Sequence, residues 1–147
     1  MTLFALPAMQ RNQRDRQRTQ DYSSLSSNIT SYITNNSGNL PKDCTDNTTT
    51  AGTICQSPEK YINTKGVDQQ GNPYKLNIKT CKTNENGNPC TTPIEELAAG
   101  YTEVKVYVVK QAKCVEDIQG KAEPVTSKRA FAVIGQLETG VFCLSSE

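Results

Sequence analysis

Apolar residues are grouped along this chain rather than spread evenly. Leu3, Phe4, Leu6 and Met9 form a short apolar tip interrupted by Pro7. From position 10 to 21 no apolar residue occurs, and Arg11, Arg14, Arg16 and Arg18 are set among glutamines with Asp15 and Asp21. Tyr22, Leu25, Ile29, Tyr32 and Ile33 then recur at helical spacing, which predicts an amphipathic helix with one apolar stripe. Asn35-Asn36-Ser37-Gly38 supplies a stop, because Gly38 can adopt the left-handed conformation past a C-cap, and Pro41 disfavours continuation. The expected helical region is 1–37: a tip, an exposed charged middle and a foot docked on a head formed by 38–147. Pro7 has two readings. It is either an interior proline that unwinds a longer helix, or the first-turn residue of a helix that starts there.

Beyond position 38 the period changes to two. The stretch 41–61 is polar and loop-like, with a possible helical turn at Ser57-Pro-Glu-Lys-Tyr61. Gly71-Asn72-Pro73 is a turn signal, and Tyr74, Leu76 and Ile78 alternate after it, so 73–80 reads as a strand. The strongest strand signal is 101–112, with Val104, Val106 and Val108 on one face and Glu103, Lys105 and Tyr107 on the other. A third strand, 128–137, sets Ala130, Ala132 and Ile134 against Phe131 and Val133. Glu138-Thr139-Gly140 turns into a last strand, 139–144. Between them, the charged stretch 113–127 reads as an exposed linker. The expected class is α+β: a long N-terminal helix on a small antiparallel sheet of about four strands, stabilised by disulfides.

Composition sharpens this picture. The 147 residues are 35% hydrophobic, a thin core to set against a backbone entropy of roughly 1–2 kcal/mol per ordered residue. Cross-links are the natural supplement. Cys44, Cys55, Cys81, Cys90, Cys114 and Cys143 contain no Cys-x-x-Cys pair, and the chain has no histidine, which argues against zinc. An even cysteine count in a loop-rich chain points to disulfides in an oxidising compartment. Six cysteines allow 15 connectivities, among which sequence alone does not choose. The favoured set is Cys44–Cys55 and Cys81–Cys90, which close short loops, with Cys114–Cys143, which ties the end of the strongest strand to the last. The alternative is that some cysteines are free and buried. The net charge of +1 gives no bulk field toward acidic partners. No apolar run is long enough to span a membrane.

The same inventory leaves little room for catalysis. Without histidine, Ser/His/Asp and Cys/His nucleophiles are excluded. The carboxylate pairs Glu95/Glu96, Glu116/Asp117 and Asp43/Asp46 fall in polar or loop contexts where ordinary solvation is the default, and no phosphate-cradling glycine loop occurs. No catalytic residue, metal or cofactor is expected.

Four segments resemble the type IV pilin and pseudopilin family, in the family's order and over about a third of the chain. Phe4-Ala-Leu-Pro-Ala-Met-Gln10 resembles the Ala-(Leu/Ile)-Pro-Ala-Tyr-Gln stretch that closes the membrane half of the pilin helix. Asn35-Asn-Ser-Gly-Asn-Leu-Pro41 resembles the exit from that helix. Asp68-Gln-Gln-Gly-Asn-Pro-Tyr74 resembles the turn into a head strand, and Gln136-Leu-Glu-Thr-Gly-Val-Phe-Cys143 is similar to a last strand ending at cysteine.

The resemblance implies a filament subunit whose helices pack at the filament axis through Leu3, Phe4, Leu6, Pro7, Met9, Arg11 and Arg14. Heads would coat the outside for adhesion, motility or DNA uptake. The implied partners are further copies of the chain, an ATP-hydrolysing assembly motor, an inner-membrane platform, a prepilin peptidase acting on the precursor, and a host or cell surface. The implied location is the inner membrane before assembly and the cell-surface pilus after it. The leader, the cleavage glycine, an acidic residue and the rest of the apolar run are then expected ahead of Met1, through truncation or a misassigned start. A pseudopilin of a type II secretion system is the alternative within the family. A soluble, secreted, disulfide-rich binding module is the alternative outside it.

Three features carry both a plain and a functional reading. The arginines are either a solvated helix face, with Arg11–Asp15 attracting and Arg14–Arg18 repelling, or groups that meet lipid headgroups and later neighbouring subunits. Nucleic acid is a weaker partner for them, since no aromatic lies nearby for base stacking. The sequons Asn28-Ile-Thr, Asn35-Asn-Ser and Asn47-Thr-Thr read as chance in an Asn/Thr-rich chain or as glycan acceptors. The region 113–127 with the carboxyl end is an ordinary surface loop, or by resemblance the outward face of a filament.

Overall fold

A computed structural model of the chain describes residues 6–45, 54–56, 74–81, 90–91, 95–98, 100–101, 103–115 and 121–146, with the side chains of 6–8, 56, 90–91 and 121 excepted. The helix α1 runs Leu6–Asn35. Its many hydroxyl residues stay compatible with helix by bonding back one turn: Thr19, Ser23, Thr30 and Thr34 each donate to the carbonyl four residues earlier. The helix ends as expected. Gly38 takes a φ of 84° and its N–H reaches the Ile33 carbonyl at 2.8 Å, while the Asn36 side chain donates to the Tyr32 carbonyl. Pro7 is the second residue of the described part of α1.

Among the described residues, seven strands form two sheets. The larger contains β1 (Lys75–Thr80), β3 (Lys105–Lys110), β6 (Phe131–Leu137) and β7 (Gly140–Ser145), in the order β1-β3-β6-β7. The smaller has β2 (Cys90–Thr91), β4 (Ala112–Cys114) and β5 (Lys121–Pro124), in the order β2-β5-β4. Three expectations need correction here. The larger sheet is mixed, because β1 runs parallel to β3, with Leu76 beside Val106 and Ile78 beside Val108. Alternation of side chains is the same for either direction. The direction is set by the connection, and the stretch between β1 and β3 is long enough for a crossover. The expected strand 101–112 is split at Gln111, whose φ of 57° turns the chain from β3 into β4 in the other sheet. The stretch 113–127 is no plain exposed linker, since β5 lies within it and Ala122 is fully buried.

The core lies on both faces of the larger sheet. One face carries Leu76, Ile78, Val106, Val108, Phe131 and Val133 against Tyr22, Leu25 and Ile29 of α1. The other gathers Val109, Ile134, Ala112, Ala122 and Cys81. Two covered faces explain why five consecutive residues of β6 are buried. Each fully buried Leu, Ile or Val contributes about 1.5–3 kcal/mol, and the helix stripe contributes Tyr22, Leu25 and Ile29, all at 0% exposure. The close approach of α1 to the sheet depends on Gly135. A Cβ there would lie 2.4 Å from the Tyr22 ring.

Two disulfides match the expected pairs. Cys44–Cys55 ties the segment after α1 to the short 3-10 turn Ile54–Gln56, and Cys114–Cys143 ties β4 to β7. Cys81 is also disulfide-bonded. Its expected partner, Cys90, has a side chain outside those described. Cys44 also exchanges two backbone bonds with Ile78, each 2.9 Å, which covers the outer edge of β1.

Candidate functional site

The polar half of α1 is where the structure departs most from an exposed charged rod. Asp15, Arg18 and Asp21 are 7%, 1% and 5% exposed. Asp15 and Arg18 sit on the stripe that continues upstream from Tyr22, where the β6–β7 turn and Tyr101 come up against them, whereas Asp21 meets Tyr74. The expected Arg11–Asp15 attraction is replaced by longer-range partners.

Asp15 is the centre. Its carboxylate accepts the backbone N–H of Glu138 at 2.9 Å, the backbone N–H of Thr139 at 3.0 Å and the Thr139 hydroxyl at 2.6 Å. Arg18 Nη1 donates to Asp15 at 3.0 Å and to Glu138 at 2.8 Å. Its other terminal nitrogen donates to the Tyr101 hydroxyl, and its guanidinium carbon lies 5.2 Å from the centre of that ring. Arg14 closes the cluster from outside with a two-pronged contact to Glu138, Nε at 2.7 Å and Nη2 at 2.8 Å. One turn further along, Asp21 accepts from Tyr74 at 2.7 Å and Gln17 at 3.0 Å, and Tyr22 donates to the Gln136 carbonyl at 2.6 Å.

The proton affinities follow from these contacts. The hydrogen bond from Arg14, helped by Arg18, holds Glu138 at about 2 against the opposing effect of burial. Burial raises Asp21 above the usual carboxylate range, although bonds from Tyr74 and Gln17 and the nearby Arg18 pull the other way. Burial also raises the phenols of Tyr22 and Tyr74. For Arg18 burial favours loss of the proton, and the Glu138 contact more than reverses it. The cluster therefore carries fixed charges that satisfy one another. It contains no activated nucleophile, and its chemistry is that of a clamp between helix and sheet.

Beside the clamp lies an open cleft of about 340 Å³, lined by Glu95, Glu96, Tyr101, Glu103, Lys105 and Gln136 among others. Glu95, Glu96 and Glu103 are exposed, whereas Tyr101 at its floor is buried. Gln136 positions the wall by accepting the Lys105 N–H and donating to the Glu95 carbonyl, both at 2.9 Å. Elsewhere, Asp43 is held by Lys110 at 2.8 Å and by Thr80. Burial raises its proton affinity, and the Lys110 and Thr80 bonds outweigh that and lower it.

The residues expected to pack a filament are distributed unevenly. Leu3 and Phe4 lie outside the described residues, and Leu6 and Pro7 are described by backbone alone. Met9 is 52% exposed, Arg11 is exposed, and Arg14 belongs to the clamp. Of the carboxylate pairs, Asp46 and Glu116/Asp117 lie outside the described residues. Sequence reasoning missed Asp15, Arg18, Asp21, Tyr74, Tyr101, Glu138 and Thr139. A signal was present in the spacing of Asp15, Arg18, Tyr22, Leu25 and Ile29, which continues the stripe through polar residues.

Among the described residues no group of histidine, cysteine or carboxylate side chains is placed to hold a metal ion, and no helix is long and apolar enough to cross a membrane. No family model matches the chain, and neither a curated protein nor a solved structure does.

Proposed function

We propose that the chain is a structural subunit of a type IV pilin-like filament. The observation that carries this reading is the division of α1. Residues 9–13 are exposed on every side of the helix, while the turns that follow, from Arg14 on, are clamped and then packed onto the larger sheet. A helix built as an integral support for its head, with an overhang that the head leaves uncovered, suits a protein whose helix has a second set of contacts to make. Exposed Met9 at the overhang and the disulfide tie between β4 and the last strand suit the same role. The work of such a subunit is mechanical. Overhanging helices pack against one another, and cross-linked heads resist shear outside. Assembly would be driven by a separate ATP-hydrolysing motor and membrane platform.

Immunogold labelling with antibody raised against the purified chain tests the reading on cells that carry the native gene. Label along surface filaments, lost when Leu6→Asp replaces the native residue, is the expected result. Label confined to released, monomeric protein would overturn it in favour of a secreted binding module.

A further inference from the structure

The docked stripe of α1 continues past the head that it docks on. Tyr22, Arg18, Asp15 and Arg11 recur at helical intervals of four, three and four residues, so they share one face. The first three are buried. Arg11, roughly 6 Å further along the axis than Asp15 at about 1.5 Å per residue, is exposed and makes no ion pair among the described residues. Arg16 is likewise exposed and outside those ion pairs, but it points about 140° away around the helix at 3.6 residues per turn.

The head offers a complementary surface. The carboxylates of Glu95, Glu96 and Glu103 rim the cleft beside Tyr101, and none of them makes an ion pair among the described residues. Lys105 is the cation among the lining residues, so the cleft is net negative. Its volume of about 340 Å³ admits a long side chain, and carboxylates at the rim suit the forked donors of a guanidinium better than a lysine's point charge.

We propose that this cleft receives Arg11 from the overhanging helix of a second copy of the chain, an inference that rests on the filament reading and gives it a specific contact. The two surfaces differ, so the contact is head-to-tail. Such a contact leaves one cleft and one overhang free at the ends and propagates as an open assembly rather than closing as a dimer. It also continues a contact made within the chain, since the stripe that holds its own head through Asp15 and Arg18 would hold the next one through Arg11.

Sedimentation velocity of the 147-residue chain tests the contact. Concentration-dependent oligomers are expected at low salt, where charges act over roughly 30 Å, and they should dissociate near 1 M, where that range falls to about 3 Å. Arg11→Glu should weaken association by about tenfold or more, and Glu96→Lys similarly. Combining the two should restore much of it, while Arg16→Glu should leave it unchanged.

A chain that stays monomeric at low salt up to its solubility limit overturns the proposal, as do equal effects of reversing Arg11 and Arg16. Arg11→Glu that abolishes binding to vesicles of anionic phospholipid but leaves self-association intact also overturns it, and assigns Arg11 to headgroups. The measurement needs no surface filament. Labelled filaments without the Arg11 dependence would sink the contact alone, whereas an intact contact in cells without filaments would sink the filament reading alone.

Discussion

Asp15 holds the backbone of Glu138 at 2.9 Å, so a helix carboxylate fastens the turn between the two last strands of the sheet. The same turn then returns a charge to the helix, because the Glu138 carboxylate takes Arg14 and Arg18. Removing Asp15 would strand Arg18 with one carboxylate and free two backbone donors. Asp15→Ala is expected to cost about 3–5 kcal/mol, the usual loss when one partner of a buried charge pair is removed. That is a large part of the stability of an ordinary domain, about 5–15 kcal/mol in total. Asp15→Asn, which keeps one acceptor oxygen, should cost less. Urea unfolding followed by circular dichroism gives the two midpoints. A midpoint for Asp15→Ala equal to that of the native chain would show that the clamp contributes nothing net.

Gly135 is needed for what it lacks. With the Tyr22 ring 2.4 Å from the position of any Cβ, Gly135→Ala forces either the ring or β6 to move. Overpacking of this kind costs about 1–3 kcal/mol, and here the upper end is expected because the Tyr22 hydroxyl is anchored on the Gln136 carbonyl. The check is a double-mutant cycle with Tyr22→Leu. If the clash is the cause, the alanine should cost much less in the leucine background, giving a coupling energy well above the scatter of independent sites. Additive losses would place the effect in the strand backbone instead.

The disulfide between Cys114 and Cys143 closes a loop of 29 residues in sequence separation and joins the short β4 to the edge strand β7. Replacing both cysteines by serine is expected to lower stability by about 2–4 kcal/mol. The loss should be local before it is global, because β4 is three residues long and is otherwise held to β7 by the Cys114 N–H on the Ser145 hydroxyl. Hydrogen exchange of the amides in 112–114 should accelerate more than that of β3. Uniform acceleration across both sheets would mean that the bridge acts only on the unfolded chain.

Side-chain alternation made most of the larger sheet legible. Val104, Val106 and Val108 are buried as their spacing implied, and so are both faces of 130–134. Gly38 at the helix end was also legible from local chemistry, and two of the favoured disulfide pairs are present, although sequence alone did not choose among the 15 connectivities. The parallel pairing of β1 was not, because Leu76 and Ile78 alternate identically in either direction and only the path of the chain decides. The clamp was hidden for a different reason. Periodicity was weighed on apolar residues, and Asp15 and Arg18 are polar in isolation. Their burial is favourable only because Glu138, Thr139 and Tyr101, more than eighty residues away in sequence, supply the matching charges and hydrogen bonds.

The pH dependence of stability follows from two carboxylates on opposite sides of this clamp. Glu138 has its folded value depressed from an ordinary 4.5 to about 2, first by the Arg14 bond. A depressed carboxylate contributes stability that is fully present above its unfolded value and is lost as pH falls, here between about 4.5 and 2. Asp21 has its folded value raised by burial, so its contribution has the opposite sign. It favours folding at low pH and declines as pH rises from the ordinary carboxylate value of 3.8 toward its folded value. The native chain should therefore lose stability on acidification less steeply than Glu138 alone would dictate. Glu138→Gln should flatten the acid limb, and Asp21→Asn should steepen it by removing the opposing contribution. Urea midpoints at pH 2.5, 4 and 6 separate these outcomes, with tyrosine fluorescence as the probe since the chain has no tryptophan. An acid limb unchanged by Glu138→Gln would mean that the Arg14 and Arg18 contacts do not persist in solution.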